Sequence, residues 1–183
     1  MTEHRTIEEG YQSATNSGNL AVDLEHRTDA DWMIASGWSH RQLGADLMRL
    51  QSEWSSPNRQ KNKRHDEANV RESIRQLRSL PKTQEKLITL GHRYGLEAGE
   101  CAMLVIKVLV HWLDDTCHVC SGRGFDTIRG TPKLSAKRCK ACNGSGKRKT
   151  PDRQEAKRML AVMDEAVMLH RDFLRKCLRQ NFN

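Results

Sequence analysis

A duplicated motif constrains this chain more than any other feature. Cys117-His118-Val119-Cys120 runs on into Ser121-Gly122-Arg123-Gly124, and Cys139-Lys140-Ala141-Cys142 runs on into Asn143-Gly144-Ser145-Gly146. A two-residue spacer lets one tight turn offer two thiolates to a single ion, and two such turns complete a tetrahedral set of soft donors. The glycines remove the Cβ atoms that would crowd such a turn, and they permit positive φ where amides point at sulfur. Eighteen residues separate the two pairs, a spacing suited to paired zinc knuckles joined by a hairpin. The expectation is one structural Zn2+ per chain, held by Cys117, Cys120, Cys139 and Cys142. Four thiolates leave no open position for hydrolytic chemistry. Unpaired buried thiols or a redox pair are the alternatives, and the spacing disfavours both. Cys101 and Cys177 lie on apolar helix faces and read as small hydrophobes. Six cysteines are too few for a disulfide scaffold in 183 residues, and no secretory signal precedes them.

The charge is concentrated on the same stretch. The whole chain carries a net charge of +8. Residues 117–149 hold nine Lys/Arg against the single acid Asp126, so this segment matches the excess of the entire chain. A surplus focused on one module favours a polyanion partner. The candidate nucleic-acid contacts are Arg129, Lys133, Lys137, Arg138, Lys140, Lys147, Arg148 and Lys149. Arg153, Lys157 and Arg158 join them at the start of the last helix, where side chains and amides can meet phosphates and base edges.

Outside the module the pattern is helical. Leu43, Leu47, Leu50 and Trp54 recur at helical spacing after a Ser39/Gln42 capping box, and Ser55-Ser56-Pro57 ends that helix. Val70, Ile74 and Leu77 mark a second helix stopping near Pro81. Thr83 opens a third, with Gly95 as its C-terminal cap. Residues 97–115 are apolar nearly all round and read as a buried central helix. Thr150 and Pro151 start a last helix, with Met159, Met163, Ala166, His170, Phe173 and Cys177 inward. Trp32, Trp38, Trp54 and Trp112 read as core. Asp114 and Asp115 fall near a helix C-terminus, where negative charge is disfavoured; solvation is preferred for them over an ion pair with the basic loop.

These features predict a mainly α fold: a helical bundle with an inserted four-cysteine, zinc-binding β-hairpin/knuckle module. The expected segments are a flexible arm (1–27), a helical region (28–116), the zinc module (117–149) and a long C-terminal helix packing on the helical region (150–183). No apolar run is long enough to span a membrane, so a soluble, cytoplasmic protein is expected.

The repeated Cys-x-x-Cys-x-Gly-x-Gly resembles the cysteine-rich region of DnaJ-type chaperones, in two copies only and without a J-domain His-Pro-Asp. An apolar helix before the first knuckle, a basic linking loop and a long helix after the second resemble, over residues 102–168, the antitermination protein Q family of lambda-like phages. That resemblance implies a phage- or prophage-encoded regulator in a bacterial host. Its partners would be double-stranded DNA near a late promoter and the bacterial RNA polymerase holoenzyme, which it would modify to read through pauses and terminators. The family's zinc ligands carry over onto Cys117, Cys120, Cys139 and Cys142; its DNA contacts carry over onto no motif.

No phosphate loop, Ser/His/Asp constellation or carboxylate pair stands out, so neither an enzyme nor a small-molecule substrate is expected. The alternatives are a zinc-dependent DNA- or RNA-binding regulator without polymerase contact, and a DnaJ-like zinc module that binds protein.

Overall fold

The computed structural model describes residues 6–18, 28–37, 43–55, 67–128, 131 and 133–180. Among them are seven helices and one two-stranded antiparallel sheet, in the order α1 (Ile7–Asn16), α2 (Asp29–Gly37), α3 (Leu43–Ser55), α4 (Glu67–Arg75), α5 (Leu80–Arg93), α6 (Ala98–Leu113), β1 (Phe125–Thr127), β2 (Leu134–Arg138) and α7 (Gln154–Gln180). The mainly helical fold with an inserted hairpin is the expected one. No helix among the described residues is long and apolar enough to cross a membrane.

Two compact units interleave along the chain. One comprises Met1–Gln60, Leu77–Lys86 and Ala161–Asn183, the other Lys61–Gln76 and Leu87–Leu160. Both α5 and α7 contribute to each unit.

In the first unit, residues 6–18 of the expected flexible arm carry an ordered helix, α1, and the rest of 1–27 lies outside the described residues. Thr6 and Glu9 form a capping box: the Glu9 amide donates to Thr6 Oγ1 (3.3 Å) and the Thr6 amide to Glu9 Oε2 (2.9 Å). Two orphan N–H groups are thereby satisfied, and Glu8 and Glu9 suit the positive end of the helix. The apolar stripe is short, Tyr11 and Ala14 beside Gly10, which is why periodicity alone missed it. Gly10 is needed there because a Cβ would run into the Trp32 ring of α2. Thr15 and Ser52 share a hydroxyl–hydroxyl bond (2.5 Å), and Arg171 pairs with Glu8 (2.8 Å).

Leu47 and Leu50 of α3 are fully buried, with Met163, Leu174 and His170 of α7. Gly44 lets α3 approach the Ala166 carbonyl and His170 Cβ closely enough that no side chain would fit. Asp46 is buried on the same helix, and its carboxylate is met by Lys82 (3.0 Å) and by Lys86. Such a group is tolerated inside only when paired. Trp32 and Trp54 are buried as expected, Trp112 is half-buried, and Trp38 lies outside the described residues, as does the Ser39/Gln42 cap.

Val70 and Ile74 of α4, in the second unit, and the following Leu77, in the first, are buried as expected, but Pro81 lies in the first turn of α5 instead of ending α4. Proline lacks only an N–H that the first turn leaves unbonded anyway. Thr83 is consequently inside α5, fully buried, with its hydroxyl donating to the Ser79 carbonyl (2.9 Å). Gly95 does cap α5. Its φ is +81°, its amide donates to His92 O (3.0 Å), and the Leu96 amide donates to Gly91 O (3.2 Å). That pair of bonds is the Schellman arrangement.

The central helix α6 buries Cys101, Leu104, Val105, Val108, Leu109 and Val110. The last helix begins at Gln154, later than Thr150-Pro151 suggested. A bridge between Thr116 and Lys147, together with the Arg148 amide donating to Asp115 O, holds the chain extended before it. A residue preceding proline is itself biased away from the helical region.

Candidate metal centre

The two knuckles are built alike and lock onto each other. In the first, Ser121, Gly122 and Gly124 have φ of +50°, +80° and +76°; in the second, Asn143, Gly144 and Gly146 have +51°, +89° and +72°. These left-handed angles curl the backbone so that the Gly124 amide donates to Cys120 Sγ and the Gly146 amide to Cys142 Sγ, each at 3.3 Å. The knuckles then exchange backbone bonds. The Cys117 amide donates to Gly146 O (2.9 Å) and the Cys139 amide to Gly124 O (2.8 Å). Gly124 lies against the Gly144 carbonyl and Gly146 against the Gly122 carbonyl, too close for any Cβ. The arrangement is an approximate twofold whose axis passes between the two turns.

At its centre the four sulfurs of Cys117, Cys120, Cys139 and Cys142 lie within 4.8 Å of one another, and all four residues are buried. Cys120 Sγ and Cys142 Sγ are 3.7 Å apart. Such a cluster can hold a metal ion, and its donors are of one soft type. Burial raises the Cys142 thiol, but the amides of Gly146 and Gly144 and the thiols of Cys120 and Cys139 outweigh it and bring it down to about 7. Amides aimed at sulfur favour the thiolate, the form that binds metal. The hairpin between the knuckles pairs Phe125 with Arg138 and Thr127 with Leu134, across a bulge.

The other cysteines follow the apolar reading. Cys101 is fully buried, with its thiol directed at Ile88 O (3.4 Å) and its pKa raised by burial; Cys177 is buried on α7. His118 is exposed within the first knuckle. Asp114 and Asp115 are not merely solvated: Asp114 Oδ1 accepts from the Thr116 amide (3.1 Å), and Asp115 pairs with Lys147 (2.8 Å).

The expected nucleic-acid contacts divide into groups. Lys133, Lys137, Arg138, Lys140, Lys149, Lys157 and Arg158 are exposed. Lys147 is engaged by Asp115, and Arg153 by Glu100 (2.6 Å) and Glu155 (3.1 Å). Arg148 is half-buried, and Arg129 lies outside the described residues. Lys137 and Arg138 are neighbours on β2, so their side chains leave opposite faces of the ribbon. The Arg138 stem lies over Gly144. Sequence reasoning passed over Arg71, Lys107 and His111 as site residues. The available signal was the i, i+4 spacing of Lys107 and His111 on one face of an otherwise apolar helix.

Comparison with protein-family models, with curated proteins and with solved structures gives no match to this chain.

Proposed function

We propose that the chain is a zinc-stabilised, DNA-binding transcription regulator of the phage antitermination type, acting in the bacterial cytoplasm on RNA polymerase. The observation that carries this reading is the exposed cations on and beside a rigid four-thiol core, with Lys137 and Arg138 on the hairpin and Lys140 and Lys149 around the second knuckle. Zinc suits the donor set: zinc–sulfur bonds of about 2.3 Å in a tetrahedron put sulfurs about 3.8 Å apart. The 3.7 Å Cys120–Cys142 separation fits that spacing. The ion would supply structure only, fixing both knuckles and the cations they carry.

Up to seven exposed contacts would neutralise phosphates, so DNA affinity should fall with salt at a log–log slope no steeper than about −6. Transcription by cognate polymerase through a terminator, with and without the protein, tests the antitermination step. Absence of read-through on its own promoter, with DNA binding intact, leaves a DNA-binding regulator without polymerase contact.

A second reading has its own support. Val119, Ile128 and Leu134 are exposed on the knuckle and hairpin, which suits a module that meets protein as DnaJ-type knuckles do. Retained partner binding after Lys137, Arg138 and Lys140 are changed to Glu, with loss on changing Val119 and Leu134 to Ser, favours that reading.

A further inference from the structure

We infer that a concavity in the second unit, away from the four sulfurs, is a binding site for a phosphate group. Its lining comes from three separate stretches: Arg71 of α4, Lys107, Val110 and His111 of α6, and Arg148, Lys149 and Pro151 beyond the second knuckle. Four of these residues are cations, and none is an acid. Lys107, Arg148 and Lys149 bring three positive charges to one small space whose lining holds no acid, and a concave wall focuses their field into the opening. Asp115, whose charge acts on His111, is engaged by Lys147.

Two of the lining residues also carry a polar atom with no partner. Arg148 Nε and His111 Nδ1 are buried and have no hydrogen-bond partner among the described residues. Buried polar atoms are nearly always satisfied, and an oxyanion is the partner that both an arginine N–H and an imidazole N–H can serve. The space, about 190 Å³, is below the roughly 300–1,000 Å³ of sites for drug-sized molecules and suits a single small anion. Guanidinium and ammonium donors together match the several oxygens of a phosphate. His111 completes the set. Burial holds its pKa down, with Arg148 and Lys147 adding to the effect against Asp115, so the site receives an anion with its ring neutral.

The phosphate could belong to a nucleic-acid backbone or be free, and the test separates these sources. Titration of the full-length, metal-loaded protein with inorganic phosphate, followed by calorimetry and by the His111 ring signals in NMR, should show saturable binding at one site. Lys107→Gln and Arg148→Gln should each weaken it about tenfold or more. Metal content should be unchanged, and Lys176→Gln, an equal loss of charge on an exposed part of α7, should have no effect. The same variants are then measured against a DNA duplex. A fall in duplex affinity larger than that caused by Lys176→Gln assigns the site to a backbone phosphate. Phosphate binding without any duplex effect assigns it to a free phosphate ester, and stands even if the DNA reading fails. No phosphate binding, with pocket and control variants alike toward duplex, overturns the site and leaves the DNA reading untouched.

Discussion

The knuckle module and the first helical unit solve the same problem by opposite means. In the unit built on α1–α3 and the later part of α7, order comes from apolar side chains such as Leu47, Leu50, Met163 and Leu174 removed wholly from water. In the module the buried cluster is the four cysteines themselves, while Val119, Ile128 and Leu134 face solvent. A segment with so little apolar burial is ordered by donors converging on one point and by backbone bonds exchanged across a twofold. The contrast teaches that stability in this chain is distributed in one region and concentrated at a point in the other. A distributed core loses a fraction of its stability to one substitution, whereas a point-held module loses nearly all of it.

The sharpest test of that contrast is removal of the metal. Chelation, or Cys139→Ser, should unfold the module, since structural zinc contributes on the order of 10–16 kcal/mol to small zinc folds. Helical circular dichroism should largely persist, because α1–α3 lie outside the module. Collapse of all helicity on chelation would erase the distinction. Next in size, Leu50→Ala should cost about 2–5 kcal/mol in denaturant unfolding while leaving metal stoichiometry intact.

Gly146→Ala should cost roughly 1–3 kcal/mol from positive φ alone, with more added by the clash at the Gly122 carbonyl. Its effect should appear as weaker metal binding, and Gly124→Ala should behave alike if the twofold is real.

The smallest effect concerns pH. Burial depresses the His170 pKa, against the pull of Asp46, so the folded state resists protonation that the unfolded chain accepts. The stability that neutral His170 contributes is present above its unfolded pKa of about 6.5 and is lost as pH falls through the depressed folded value. The melting temperature should therefore drop between pH 7.5 and 5.5, and His170→Gln should flatten that dependence. An unchanged slope in the variant would remove His170 from the account.

The cysteines, their spacing and their glycines made the four-thiol site legible in the sequence, because a tight turn that ligates a metal is specified by residues adjacent in the chain. The helices α3 and α6 were legible for a related reason: Leu47, Leu50 and the run from Cys101 to Leu113 repeat an apolar pattern over several turns. Helix α1 was not, since its stripe is two residues deep and its order depends on Trp32, Ser52 and Arg171, all distant in sequence.

Charge was legible as a quantity but not as an arrangement. Counting gave eleven candidate contacts in the basic module and the start of the last helix, whereas Lys147 and Arg153, though exposed, are ion-paired with Asp115, Glu100 and Glu155. The gathering of Arg71, Lys107, His111 and Arg148 around one concavity had no local signature beyond the i, i+4 spacing of Lys107 and His111. The sequence by itself determined the thiol donors and the helical periods, because each rests on interactions between near neighbours. Only the tertiary structure decided which cations face water, which face acids and which face one another, because charges act through space and the fold alone sets their distances.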